Sequence, residues 1–206
     1  MSTSCVFTLQ TCPPAYEWVF LVEVAGTADP VSVTATAQAR LGEAGEEPSR
    51  LEVFGADTAL PAYHRAALVG ASLLWAASAP EPELVPVFDG VDDAGRPIFA
   101  DDRPSLDAAE RESVAGYLYG SDAVLLTTAT MVDVVDPGHG DVVPLTYRTD
   151  GRFVWPDAVA YHVRRHGIAP YPPLLAAART TDYRPPRTDL ASRMRAEQAL
   201  FAEAPA

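Results

Sequence analysis

The sequence predicts an α+β fold with an antiparallel sheet. Two groups of strand-like runs and one group of helical patterns support this class. The first third is rich in aromatic and branched residues, most clearly in 16–25. Three further strand-like runs follow later in the chain, at 123–135, 142–147 and 152–155. Helical spacing of apolar residues marks 60–78, 106–118 and 157–166. We expect the N-terminal strands and the 123–155 meander to form the sheet, packed by three or four helices.

The N-terminal elements are predicted from local patterns. Residues 31–39 alternate small apolar with polar residues, which favours a half-exposed strand paired to 16–25. A short strand is expected at 50–54. The segment 60–78 begins near Leu60-Pro61, and apolar or small residues cover nearly its whole circumference. Such a helix is usually covered on several sides, so we expect it to lie at the centre of the fold.

The later elements are bounded by turn and capping residues. Short strands are expected at 85–88 and 97–99, and Ser105 is the expected cap of the helix that runs to Leu118. Thr149-Asp150-Gly151 is a hairpin signal. Pro156 is expected to start a helix that Gly167 closes.

The predicted domain organisation follows from these elements. After a proline-rich link, an amphipathic helix is expected at 188–203. We predict a single α+β domain over 1–180 and a C-terminal helical extension over 181–206.

Charge and hydropathy exclude two classes of protein. The net charge is −13 and the pI is near 4.6, which argues against a nucleic-acid binder because such proteins need many exposed cations. No apolar run approaches the roughly 18 residues of a membrane span. Cys5 and Cys12 are expected to be free thiols, and the N-terminus lacks the pattern of a secretory signal. We therefore expect a cytoplasmic protein.

The composition also bears on source and chemistry. All fifteen basic residues are arginine, and lysine and asparagine are absent. This bias favours a GC-rich genome, and we infer an actinobacterial source. Without lysine, Schiff-base chemistry is excluded.

Residues 81–112 form an acidic segment with a net charge of −7. We expect it to bind a basic protein partner by electrostatic attraction. The predicted partner-binding residues are Asp89, Asp92, Asp93, Asp101 and Asp102. The alternative is internal docking onto the arginine-rich region 148–195, whose net charge is +5.

His162 and His166 show the only spacing typical of a metal site. Two histidines four residues apart share a helix face and can bind one zinc ion. No third ligand is evident in the sequence, and these residues also suit a helix end before Gly167. We therefore predict no metal and no cofactor. Motifs for nucleotide binding and for hydrolase nucleophiles are absent as well.

Residues 142–168 have the sequence VVPLTYRTDGRFVWPDAVAYHVRRHGI. Over about residues 120–178, the chain resembles actinobacterial proteins that share a YRTDG-x-x-V-W-P stretch followed by a tyrosine-bearing helix and His-Gly. Some of these look like immunity or accessory proteins of polymorphic toxin systems. The resemblance implies no catalytic residue, and we interpret the block as a hairpin and helix that define the fold.

These observations favour a binding function over catalysis. The leading hypothesis is an immunity-type inhibitor of a toxin, or a comparable acidic protein-interaction module. One alternative is an enzyme, with a site among Arg148, Asp150, Arg152, Trp155, His162 and His166. Another is a structural or assembly subunit in which the 60–78 helix is an oligomer contact.

Overall fold

A computed structural model describes residues 5–10, 18–24, 28–45, 50–55, 58–69, 71–76 and 81–202, and it confirms the α+β class. The chain forms two compact units, Met1–Pro80 and Glu81–Ala206. This division at residue 80 separates two groups of residues, each of which has its contacts mainly among its own members. The domain of 1–180 and the helical extension of 181–206 stay a prediction. In the described ranges, no helix has the length and apolar character needed to cross a membrane.

The first unit is built on a mixed four-stranded sheet. Its elements are β1 (Cys5–Gln10), β2 (Trp18–Val24), α1 (Pro30–Glu43), β3 (Arg50–Gly55), α2 (Ala62–Val69) and β4 (Ser72–Ala76). The strand order is β3-β2-β1-β4, in which β2 and β3 are parallel and the other pairs antiparallel. The predicted strands at 16–25 and 50–54 are confirmed where they are described. The predicted free thiols lie outside the described side chains.

The predicted strand at 31–39 is wrong, because this segment forms α1. Asp29 caps the helix by accepting hydrogen bonds from the backbone N–H groups of Val31 and Ser32, and Pro30 is its first residue. These two starting signals outweigh the alternating pattern of small residues. The helix also supplies the crossover that the parallel pair of β2 and β3 requires.

The predicted helix over 60–78 is also wrong in its second half. The helix α2 ends at Val69, and β4 then pairs antiparallel with β1 at the edge of the sheet. The segment 60–78 contains a helix followed by a strand. Read as one helix, these two elements place apolar residues on every side of it. Its proposed role as an oligomer-forming helix loses its basis.

Among its described residues, the second unit contains four α-helices, a short 3-10 helix (Pro137–His139) and three small sheets. Its strands are β5 (Glu83–Leu84), β6 (Gly90–Val91), β7 (Pro97–Ile98), β8 (Asp122–Leu125), β9 (Thr130–Val132), β10 (Asp141–Pro144), β11 (Tyr147–Thr149) and β12 (Phe153–Pro156). Its helices are α3 (Ala108–Gly120), α4 (Asp157–His166), α5 (Pro172–Thr180) and α6 (Leu190–Phe201).

The antiparallel sheet is confirmed only in part. In the second unit the main sheet has the order β5-β12-β11-β8, with β5 parallel to β12 and the other pairs antiparallel. The pairs β9–β10 and β6–β7 form separate antiparallel ribbons. The N-terminal strands and the 123–155 strands thus belong to different sheets, and the single sheet that we predicted is wrong.

The core of the second unit lies between α3, α4, α5 and β12. Its largest fully buried side chains are Trp155, Tyr117, Phe153, Leu118 and Leu174. Asp107 caps α3 in place of the predicted Ser105, since its carboxylate accepts the N–H groups of Ala109 and Glu110. The C-terminal helix α6 belongs to the same unit and buries Ala191 and Ala196 completely.

The predicted hairpin turn at 149–151 is confirmed. One carboxylate oxygen of Asp150 accepts the N–H groups of Arg152 at 2.9 Å and Phe153 at 2.7 Å. Gly151 has a φ of 91°, a conformation that residues with a Cβ atom rarely adopt. This turn places β12, and therefore the start of α4, directly after β11.

A glycine-to-alanine pair tests the importance of this turn. Gly151→Ala should lower the free energy of unfolding by about 1–3 kcal/mol, because a side chain is strained at positive φ. Gly116→Ala is the matched control: it lies in α3 with open space at its Cβ position, and it should stabilise the protein by about 0.5–1 kcal/mol. Urea denaturation measures both values, and equal effects of the two substitutions would contradict the prediction.

Candidate metal centre

The helix α4 holds three of the side chains that form the candidate site, namely Tyr161, His162 and His166. Its first turn is fixed by an ion pair between Arg148 Nε and Asp157 Oδ1 at 2.6 Å. Its end is fixed by Gly167, which has a φ of 72° and donates its N–H to the carbonyl of Val163. The two histidine rings lie one turn apart, with their centroids 5.7 Å from each other.

Asp133 completes the candidate site from a different part of the chain. It directly follows β9, at the start of the loop that leads to β10. Its own N–H donates to the carbonyl of Gly140 across this loop. The strand β10 packs on α4 and carries the fully buried Val143, so the loop is held beside the helix. The carboxylate of Asp133 is completely buried.

Four hydrogen bonds stabilise the buried carboxylate of Asp133. Oδ2 accepts His166 Nε2–H at 2.7 Å and the Tyr161 hydroxyl at 2.9 Å. Oδ1 accepts the backbone N–H groups of Val135 at 3.0 Å and Asp136 at 3.2 Å. Burial raises the pKa of Asp133, but the hydrogen bonds from His166, Asp136 and Tyr161 outweigh it and hold this pKa at about 2. The group is therefore a carboxylate, so His166 Nε2 must carry the proton that it donates.

His162 is the unusual member of the site. It is 2% exposed, and neither of its ring nitrogens has a hydrogen-bond partner among the described residues. The rings of Phe88 and Phe99 pack against it at centroid distances of 5.8 Å and 4.9 Å. Burial lowers the pKa of His162 to about 4, so the imidazole is neutral at neutral pH. Polar groups buried without a partner are rare and costly, because their desolvation is not compensated.

The three side chains have the geometry and chemistry of a metal site. One ligand atom each from Asp133, His162 and His166 lies within 4.8 Å of the other two. Three atoms that lie within 4.8 Å of one another share a central point that is no more than about 2.8 Å from each of them. Bonds from zinc to imidazole or carboxylate are about 2.0–2.2 Å long. The atoms are thus near bonding distance of one ion, and the 2.7 Å between Asp133 Oδ2 and His166 Nε2 would have to widen to about 3.4 Å, the separation of two ligands of a tetrahedral zinc ion.

The predicted absence of a metal depended on the lack of a third ligand beside His162 and His166, whereas the structure places a carboxylate there. Asp133 offers a third candidate ligand atom, brought to the helix by the β9–β10 loop. It lay inside a predicted strand at 123–135, and nothing in its local sequence indicated partners 28 and 33 residues away. Asp133 before Asp136-Pro137-Gly138 does carry a turn signal, which could have placed it at the end of the strand.

The five predicted partner-binding aspartates fall into two groups. Asp89 and Asp92 stabilise their own segment: Asp89 pairs with Arg103 at 3.0 Å, and Asp92 pairs with Arg96 at 2.7 Å. Asp93, Asp101 and Asp102 are exposed, and no hydrogen bond or ion pair joins them to other described residues.

The residues of the predicted alternative active site do not lie together around one chemical centre. Asp150 accepts the Tyr117 hydroxyl at 2.7 Å as part of the turn, and Trp155 is fully buried against the Tyr117 ring. Arg148 is engaged by Asp157, while the exposed Arg152 lies over the ring of Phe153. Only His162 and His166 from this set belong to the cluster that contains Asp133.

Comparison with known proteins adds nothing to this geometry. No family model, no curated protein and no solved structure matches the chain.

The two histidines should have opposite effects on the stability of the metal-free protein. His162→Phe keeps an aromatic ring against Phe99 and removes two nitrogens without partners, so it should raise the free energy of unfolding by about 1 kcal/mol. His166→Phe should lower it by about 2 kcal/mol, because the buried Asp133 loses a donor. Denaturation in the presence of a chelator measures both. A loss of stability in His162→Phe as large as that in His166→Phe would show that His162 is an ordinary core residue.

Proposed function

We propose that this protein binds one divalent transition-metal ion through Asp133, His162 and His166. The observation that carries the proposal is the burial of His162 with two unpartnered ring nitrogens, beside a carboxylate and a second imidazole. A metal ion gives one of these nitrogens a partner, which explains why a polar ring is kept in an aromatic environment.

The donor set indicates the class of metal. Two imidazole nitrogens and one carboxylate oxygen suit zinc, iron, cobalt or nickel. Calcium and magnesium prefer sites made entirely of oxygen ligands, so they fit this cluster poorly. With no cysteine in the cluster, a thiolate site for copper(I) or an iron–sulfur centre does not fit either.

The number of protein ligands favours a chemical role for the ion over a purely structural one. Structural zinc sites generally have four protein ligands, whereas catalytic sites have three and keep a position for water or substrate. The described part of the cluster contributes three. When bound at such a site, a metal ion polarises a water or substrate molecule in its remaining position. The enzyme alternative is therefore supported at this cluster and not around Arg148 and Asp150.

Metal binding can be measured on protein made without a histidine tag. After treatment with a chelator, equilibrium dialysis with zinc or cobalt should give one ion per chain. His162→Ala should weaken binding by more than about 100-fold, because even residues that only orient a ligand are worth about 10–100-fold. His64→Ala is the matched control, since it removes a histidine from the other unit and should leave binding unchanged. Parent protein that binds no more metal than His162→Ala would overturn the proposal.

A second proposed function is the immunity-type binding protein that the sequence resemblance implies. It is favoured by the exposure of Asp93, Asp101 and Asp102 without ion pairs among the described residues. Other carboxylates of the acidic segment do dock internally: Glu110 pairs with Arg179 at 2.8 Å and Glu112 with Arg164 at 3.5 Å. The proposed surface for a basic toxin is therefore limited to the three free aspartates.

Two sets of substitutions separate the free carboxylates from the docked ones. Replacing Asp93, Asp101 and Asp102 together by asparagine should change the free energy of unfolding by less than about 0.5 kcal/mol, because exposed charges contribute little. Glu110→Gln is the contrasting variant, and it should cost about 1 kcal/mol because it weakens the bonds from Arg179 and the Tyr183 hydroxyl. If the triple variant loses more stability than Glu110→Gln, its carboxylates support the fold and are not a free surface.

A further inference from the structure

The two oxygens of the Asp133 carboxylate have different surroundings. Oδ1 accepts two backbone N–H groups of its own loop, from Val135 and Asp136. Oδ2 accepts only side-chain donors, Tyr161 and His166, both of which come from α4. The loop backbone therefore engages Oδ1, while Oδ2 is the oxygen that is bonded to the side chains of α4.

This difference determines how Asp133 would bind an ion. Oδ1 is committed to the loop, and moving it onto a metal would break two backbone hydrogen bonds in a buried place, which is costly. Oδ2 can bind a metal by exchanging one partner only. On binding, the ion would take the place of the proton on His166 Nε2, and that proton would pass to Nδ1 or to solvent, so that Nε2 and Oδ2 could both act as ligands.

We infer that Tyr161 is the positioning residue of the metal centre, holding Asp133 Oδ2 in place through its hydroxyl group. This inference rests on the proposed metal site. Tyr161 directly precedes His162 on α4, and its ring packs against His162 and His166 at centroid distances of 5.4 Å and 6.0 Å. Its hydroxyl reaches Oδ2 at 2.9 Å. One helical turn thus carries two ligands and also the donor that orients the third.

The hydrogen bond from Tyr161 should stabilise the metal-bound protein more than the metal-free protein. In the metal-free protein Oδ2 has two donors, and His166 remains when the tyrosine hydroxyl is removed. Once the ion has replaced the His166 proton, Tyr161 is the remaining donor to Oδ2 among the described residues. A hydrogen bond that stabilises the metal-bound state more than the metal-free state increases the affinity for the metal. Groups that orient metal ligands typically increase this affinity by about 10–100-fold.

The test compares two tyrosine-to-phenylalanine variants that each remove one hydrogen bond to a carboxylate. Tyr161→Phe removes the bond to Asp133, and Tyr183→Phe removes the 2.8 Å bond to Glu110, outside the cluster. For each variant and the parent, the dissociation constant for cobalt(II) is measured by competition with a chelating dye. The visible spectrum of the bound cobalt is recorded as well, and melting temperatures are taken in a chelator.

The inference predicts that Tyr161→Phe raises the cobalt dissociation constant by about 10–100-fold and alters the spectrum, while Tyr183→Phe does neither. In the chelator, Tyr161→Phe should melt below Tyr183→Phe because the buried Asp133 loses a donor, so the cobalt affinities are compared at a temperature at which both variants are folded. Parent protein that binds no cobalt would refute the proposed metal site, and the role of Tyr161 with it. Parent protein that binds cobalt, with Tyr161→Phe matching it in affinity and spectrum, would refute the role of Tyr161 alone. Equal losses of affinity in both variants would also refute it, since a general loss of stability would then be the cause.

Discussion

A carboxylate that is fully buried must have its charge compensated by hydrogen bonds, and in the second unit Asp133 meets this constraint with donors from two directions. Two come from the backbone of its own loop, and two come from Tyr161 and His166 on α4. These bonds join the β9–β10 ribbon to the helix. They also place an acidic oxygen next to His162, a buried imidazole that has no partner of its own.

The rest of the second unit fixes the helix that carries the site. The turn at Gly151 sets the pairing of β11 with β12, and β12 leads directly into α4. The ion pair of Arg148 with Asp157 fixes the first turn of this helix, and the left-handed conformation of Gly167 ends it. Trp155 and Tyr117 pack beneath these elements in the core. Of the residues that looked catalytic in the sequence, Arg148 and Asp150 support the site without belonging to it, because their polar groups are engaged by Asp157 and by the turn with Tyr117.

Local signals were sufficient to predict the hairpin at 149–151, the helix that ends before Gly167, and the pairing of His162 with His166 on one helix face. They failed where the outcome depends on contacts distant in sequence. The strand β4 exists because it pairs with β1 some 65 residues earlier, and no local pattern reveals that pairing. Asp133 was missed for the same reason, since its partners lie 28 and 33 residues away. The helix α1 is a different case, because its local signals conflict: Asp29 and Pro30 favour the start of a helix, whereas the alternating residues that follow favour a strand.

The central claim is that one metal ion is bound by Asp133, His162 and His166, and crystals of the untagged protein grown with zinc test it most directly. Anomalous scattering recorded at the zinc absorption edge locates the ion without prior assumptions about its ligands. The account predicts one strong peak at the cluster, about 2.0–2.2 Å from Asp133 Oδ2, His166 Nε2 and one ring nitrogen of His162. A cluster without an anomalous peak, with zinc found only at exposed carboxylates or at His64 and His139, would contradict it.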